Sequence, residues 1–145
     1  MPIRVATSAD WAPLYALEQR CFDGDRLSAR QFRYHLRSPK ACFLLSENPA
    51  LSGYALVLLR PALSQARLYS ICVDANARGL GVGRSLSEAA IKQSRAADMR
   101  RLTLEVRLDN TQALALYRKL GFERCAELKN YYQDGADGVR MELLL

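Results

Sequence analysis

Apolar and polar positions alternate differently along the chain, and each change of period marks an element. Pro2 to Ala6 reads as a short strand. Behind Ser8 or Asp10 as N-cap, Trp11, Leu14, Leu17, Glu18 and Cys21 recur at helical spacing, which predicts a helix through Phe22. Ser28 stands three residues before Gln31, the spacing of a capping box. It opens a second helix with Phe32 and Leu36 on one side and Arg30, Arg33 and Arg37 on another, ended by Pro39. Ala41 to Ser46, Gly53 to Arg60 and Ala66 to Val73 are strand-like runs. Glu47-Asn48-Pro49 and Pro61-Ala62 separate them as turns, which predicts an antiparallel meander.

After Val73 the pattern becomes strand, glycine loop, helix (about Val82 to Met99), strand (Arg101 to Leu108) and helix (Asn110 to Leu120). Two strands around the turn Asp134-Gly135-Ala136-Asp137-Gly138 complete it. In Arg101 to Leu108 strict alternation puts Leu102, Leu104, Val106 and Leu108 on one face, to be covered by a helix, and Arg101, Thr103, Glu105 and Arg107 on the other. The architecture is mixed α/β, and 145 residues, half of them hydrophobic, fit one domain over 1–145.

Composition narrows the function classes. The longest apolar run, Tyr54 to Leu59, has six residues, far short of a membrane span of roughly 18. The first thirty residues carry Asp10, Glu18, Asp23 and Asp25 and lack the apolar core of a secretory signal, so a cytoplasmic protein with no membrane partner is expected. Cys21, Cys42, Cys72 and Cys125 form no CxxC pair and His35 is the lone histidine, so neither a disulfide framework nor a metal site is expected. His35 reads as an ordinary surface or edge residue. The net charge is +6, but 21 basic residues are dispersed among 15 acidic ones, which argues against nucleic acid and for a modest preference for anionic ligands.

The chemistry begins at Arg78-Gly79-Leu80-Gly81-Val82-Gly83, between a strand and an amphipathic helix. Unpaired N–H groups converge at such a turn, glycines let oxygens approach the backbone, and the helix dipole adds positive potential. Arg78 and Arg84 can add ionic contacts. A Walker loop requires GxxxxGK[ST], and both lysine and spacing are missing. A dinucleotide fingerprint requires GxGxxG, but Arg84 stands at the third glycine and the loop follows a meander rather than opening a βαβαβ half. A plain strand-to-helix turn is the remaining alternative.

The loop is similar to the RxxGxG/A pyrophosphate loop of the GNAT superfamily of N-acetyltransferases. Leu68 to Asp74 before it, Leu104-Glu105-Val106-Arg107 after the helix, Asn110 to Tyr117 and Lys119-Leu120-Gly121-Phe122 resemble that superfamily's motifs in its order, over residues 68–122. Asn130-Tyr131-Tyr132, Met141-Glu142-Leu143 and, more weakly, Glu18 to Phe22 and Leu27-Ser28 resemble its RimI-like branch, which acetylates protein N-termini. Asp25-Arg26 stands where that branch frequently has Pro-Trp. The resemblance implies a GNAT fold, a mixed and mostly antiparallel sheet of about six or seven strands flanked by about four helices. It also implies acetyl-CoA as cosubstrate with no metal.

Acyl transfer to an amine requires a deprotonated amine, a polarised thioester carbonyl and a proton for the departing thiolate. The resemblance assigns Glu105 as general base; otherwise it is a strand glutamate paired with Arg101 or Arg107. Tyr117, protonated at neutral pH, is the candidate acid, and otherwise part of an apolar stripe with Ala113, Leu116 and Leu120. Asn110 reads as an N-cap or a cofactor contact. If the flanking strands splay after Val73, as in the superfamily, the backbone of Ile71, Cys72 and Val73 serves the pantetheine and thioester, while Arg78 to Arg84 hold the pyrophosphate. The Cys72 thiol reads as packing rather than as a nucleophile. Tyr131 and Tyr132 line an acceptor groove or merely cover the sheet. The expected acceptor is a protein N-terminal α-amine, with a small amine (polyamine, amino acid or antibiotic) or a non-catalytic CoA sensor as alternatives. The expected assembly is a monomer or homodimer.

Overall fold

In the computed structural model, residues 2–22, 24, 26–47 and 50–145 are described. The Glu47-Asn48-Pro49 turn rests on Asn48 and Pro49, and the Asp25-Arg26 departure on Asp25, outside the described residues. Strand β1 (Ile3–Val5) leads into a single 3₁₀ turn, Ser8–Asp10, and then α1 (Trp11–Cys21). Asp10 stands at the N-cap position of α1, but its side chain makes no capping bond to the helix. The Asp10 carboxylate is taken by the Arg4 guanidinium at 2.9 and 3.0 Å and by the Thr7 N–H at 2.8 Å. Arg4 holds that carboxyl down at about 2. Helix α2 (Ala29–Arg37) starts at the expected capping box: Ser28 Oγ accepts from the Gln31 N–H at 3.1 Å, and Gln31 Oε1 from the Ser28 N–H at 2.8 Å.

The meander forms as β2 (Ala41–Glu47), β3 (Leu51–Arg60) and β4 (Gln65–Val73). Then follow α3 (Val82–Ala96), β5 (Arg101–Arg107), α4 (Thr111–Lys119), β6 (Glu123–Leu128) and β7 (Gly138–Leu144). Helix α3 stops short of Met99 because Asp98 turns into the left-handed region at φ 62°. The last two strands are joined not by a five-residue turn but by residues 129–137. Seven strands lie in the order β1-β2-β3-β4-β5-β7-β6, with only β4 and β5 parallel among the described pairs.

Helices α3 and α4 cover one face of the sheet with a core that includes Leu68, Leu86, Leu102, Leu104, Val106 and Leu114. The alternation of β5 thus holds, except that Leu108 lies past the strand and is exposed. Helices α1 and α2 cover the other face, where the rings of Phe32, Phe43 and Tyr54 pack with centroids 5.5–5.9 Å apart. Glu18, on the inward face of α1, is fully buried there. It accepts from the Leu27 N–H at 2.6 Å and from the Tyr54 hydroxyl, which lies 3.1 Å from Ser70 Oγ.

Burial raises the Glu18 carboxyl above its ordinary range. A carboxyl raised on folding contributes stability that is complete below the ordinary carboxylate range and is lost as pH rises through the raised value. Glu18→Gln is therefore expected to flatten the rise in stability that wild type shows on mild acidification. Glu18→Ala, which orphans the Leu27 N–H, should cost about 1–3 kcal/mol. Urea unfolding across pH tests both, and equal pH profiles for wild type and Glu18→Gln would contradict the reading.

Candidate active site

Strands β4 and β5 pair only from Gln65↔Arg101 to Leu68↔Leu104. Leu56 of β3 faces Ser70 while Val57 faces Leu68, so Tyr69 is the extra residue of a β-bulge, which bends β4 at that point. Beyond the bulge β4 stays with β3, and Glu105 to Arg107 stay with β7. An opening results between Tyr69–Val73 and Glu105–Arg107. The strands thus part after Leu68 rather than after Val73, which puts Ile71, Cys72 and Val73 inside the opening.

Antiparallel bonding alternates along a strand. The Asp74 N–H donates to Ser52 O at 2.8 Å, so in the same register Cys72 bonds toward β3. The backbone groups of Ile71 and Val73 point into the opening instead. The Cys72 side chain packs in the α1–α2 core with Sγ 4.0 Å from Leu17 O, and burial pushes its thiol up. That environment fits packing, not nucleophilic attack.

At the end of β4 the chain makes a 3₁₀ turn, Ala75–Ala77, and enters the glycine loop. Gly79 and Gly81 both adopt φ 81°, a left-handed conformation that glycine takes without strain. A Cβ at either would stand in open space with no protein atom within 4 Å. No backbone N–H from Gly79 through Arg84 donates a hydrogen bond of normal length to a described residue; the first helical bond runs from Ser85 N–H to Gly81 O at 3.0 Å. Six free donors therefore surround an uncapped helix N-terminus, with no acidic residue between Arg78 and Arg84. Arg84 pairs with Glu88 at 3.2 Å, whereas Arg78 has no carboxylate partner among the described residues. Val82 is buried beneath the loop and Leu80 is exposed at its tip. Open space and donors alone are what a pyrophosphate group fits.

Glu105 and Tyr117 lie on opposite faces of the sheet. The Glu105 side chain, 7% exposed, lies on the α1–α2 face. Its Oε1 accepts from Arg67 Nε at 2.7 Å and its Oε2 from Arg140 Nε at 3.1 Å. The expected partners are engaged elsewhere: Arg101 with Glu142 at 3.5 Å, and Arg107 with Asp109 and Asp134 at 3.0 and 2.9 Å. Arg67 and Arg140 carry no local signal in the sequence. Arg140 sits opposite Glu105 in the β5–β7 register, and Arg67 reaches it from β4.

Tyr117, buried on the α3–α4 face, packs edge-on against Phe122 at 5.6 Å. On the same face Ser87 Oγ donates to Gly83 O at 2.8 Å. Burial pushes the phenol up to about 12, so it keeps its proton at neutral pH. Asn110 caps α4, its Oδ1 accepting from the Ala113 N–H at 3.1 Å, which leaves its amide N–H groups free to donate.

Tyr131 belongs to the Glu105 cluster, its hydroxyl accepting from Arg67 Nη2 at 3.3 Å. Tyr132 meets it edge-on at 5.1 Å, stacks beneath Arg107 at 5.2 Å, and is pushed up to about 12 by burial. Two surface concavities, about 630 Å³ against Arg30, Arg33 and Arg37 and about 270 Å³ against Arg107 and Asp134, hold none of the candidate site residues. The site is a slot between strands. Among the described residues no helix is long and apolar enough to cross a membrane, and no cluster of three His, Cys, Asp or Glu is placed to hold a metal. The four cysteines are free, and His35 packs edge-on against Tyr34.

Comparison with known proteins gives the family. A putative ribosomal protein bS18-alanine N-acetyltransferase of Bacillus subtilis is 31% identical over 88% of this chain and 85% of its own length. The ribosomal protein bS18-alanine N-acetyltransferase of Escherichia coli is 36% identical over 62% of this chain and 60% of its own. The crystal structure of an E. coli ribosomal-protein-S18-alanine N-acetyltransferase superposes with a TM-score of 0.88 at 29% identity, covering 99% of this chain and 92% of that one. The profile described as the acetyltransferase (GNAT) family matches residues 11–122, and by that match, its relatives and its sheet this chain belongs to the GNAT acetyltransferase family.

Proposed function

We propose that residues 1–145 form a single acetyltransferase domain that moves the acetyl group of acetyl-CoA to a protein N-terminal α-amine, by direct attack in a ternary complex. The observation that carries this reading is the slot between β4 and β5, with free loop amides following β4 and Glu105 and Tyr117 on the two faces of the sheet. The B. subtilis and E. coli relatives, named as putative and established alanine N-acetyltransferases of ribosomal protein bS18, support a protein amine as acceptor.

The loop amides of Gly79 to Arg84 and the Arg78 guanidinium bind the pyrophosphate, and the Asn110 amide adds a donor. Ile71 and Val73 hydrogen-bond the pantetheine as an added strand would, and a backbone N–H at this edge polarises the thioester oxygen. Acetyl-CoA supplies an activated acyl group with a thiolate leaving group. The amine nitrogen bonds to the acetyl carbon as the C–S bond breaks. Its proton leaves through Glu105, directly or by way of a water, and Tyr117 protonates the thiolate. Tyr131 and Tyr132 flank the acceptor. Cytoplasmic location and a monomeric or homodimeric state belong to the same reading.

The test is thiol release from acetyl-CoA against N-terminal peptides and small amines, for wild type and Gly81→Ala. Peptides should be acetylated faster than polyamines or antibiotics. Gly81→Ala, strained by roughly 1 kcal/mol and crowding the phosphates, should raise the KM for acetyl-CoA about tenfold or more with a smaller change in kcat. A preference for small amines would reassign the acceptor, and CoA binding without turnover of any amine would leave only a sensor.

A further inference from the structure

Glu105 is one carboxylate between two guanidiniums, so the mouth of the slot on the α1–α2 face carries a surplus positive charge. Arg67 and Arg140 are 39% and 41% exposed at their side chains. Arg67 is held by Glu105, by the Tyr131 hydroxyl and by the Tyr69 ring at 5.0 Å, yet its Nη1 has no partner among the described residues. Among the described residues Arg140 finds a partner only for Nε, which leaves Nη1 and Nη2 free. Three fixed, charged donors thus border the carboxylate proposed to receive the amine's proton. The nearby Arg107 pairs with two carboxylates, Asp109 and Asp134, a net charge of −1, but these are 66% and 60% exposed, so solvent screens them.

A bare ammonium entering this mouth meets repulsion. An acceptor with its own carboxylate beside the amine brings the missing charge and places it on a planar fork suited to carboxylates. Resting on the reading of an N-acetyltransferase, we infer that Arg67 and Arg140 select acceptors carrying a carboxylate close to the reacting amine, an N-terminal peptide with an acidic residue at its second position. Glu105 keeps both hydrogen bonds while the acceptor takes the free Nη donors. The surplus positive charge also favours the neutral amine that attacks.

The experiment compares kcat/KM at low salt for three amidated peptides, Ala-Glu-Ala, Ala-Gln-Ala and Ala-Lys-Ala, and for free glutamate, with wild type, Arg67→Gln, Arg140→Gln and Arg140→Glu. Wild type should favour the glutamate peptide over the glutamine peptide about tenfold or more. Each glutamine variant should pull that ratio toward one, and Arg140→Glu should move the preference to the lysine peptide. Each ratio is taken on one preparation, so partial unfolding cancels from it. Equal wild-type rates for the glutamate and glutamine peptides overturn the selection and leave acetyl transfer standing. A preference that survives in both glutamine variants overturns it as well. Turnover of free glutamate above every peptide supports the arginine fork while sinking the protein acceptor, and no turnover of any amine sinks both.

Discussion

Glu105→Gln should lower kcat by about 10²–10³ at neutral pH while the KM for acetyl-CoA changes little, since the side chain lies away from the glycine loop and its only proposed task is the proton. The amide cannot take up a proton, so the variant must wait for amine that has already lost one. Its deficit should shrink as pH rises toward the pKa of the acceptor amine, near 8 for an α-amine. Initial rates across pH for wild type and variant check this. A variant within about twofold of wild type at neutral pH would remove Glu105 from the reaction. A deficit constant across pH would instead mark a positioning role, in which Glu105 acts by holding Arg67 and Arg140.

Tyr117→Phe should cost about 10–10² in kcat, less than a typical general acid because a thiolate departs readily without help. Phe keeps the ring that packs on Phe122, so stability should fall little. The pH profile carries a second expectation. With the phenol held up at about 12, wild-type kcat should show no descending alkaline limb below about pH 10, because the acid keeps its proton throughout. A limb near pH 8 that Tyr117→Phe abolished would contradict that environment, and full activity in the variant would leave Tyr117 as packing only.

What could be read from the chain before folding, and what could not, divides by distance along it. Capping by Ser28 and Asn110, the faces of β5 and the glycines at the mouth of α3 are set within a few residues, and each formed where expected. The alternation that put Glu105 on the polar face says nothing of its neighbours, which are fixed by register between distant strands. Arg67 and Arg140 lie 38 and 35 residues away. Arg101 and Arg107 share its strand and face, but Glu142 and Asp134 are nearer to them. The Tyr69 bulge has no signature of its own, so the parting of β4 and β5 was misplaced toward Val73. Glu18 looked like part of an amphipathic stripe because its acceptor bonds come from Leu27 and from Tyr54, 36 residues on. Nothing near Tyr131 along the chain points to Arg67, 64 residues away, which donates to its hydroxyl.

The central claim is that one slot joins two faces of the sheet, with cofactor on the α3–α4 side and acceptor on the α1–α2 side. A crystal structure with a bisubstrate conjugate, CoA joined through an acetyl bridge to a peptide's α-nitrogen, tests it most directly. The account predicts the pyrophosphate on the Gly79 to Arg84 amides and the pantetheine along Ile71 and Val73. It also predicts the bridge between Tyr69–Val73 and Glu105, and the peptide beside Tyr131 and Arg140. A conjugate lying wholly on one face of the sheet, or with its pyrophosphate away from the loop, would contradict it.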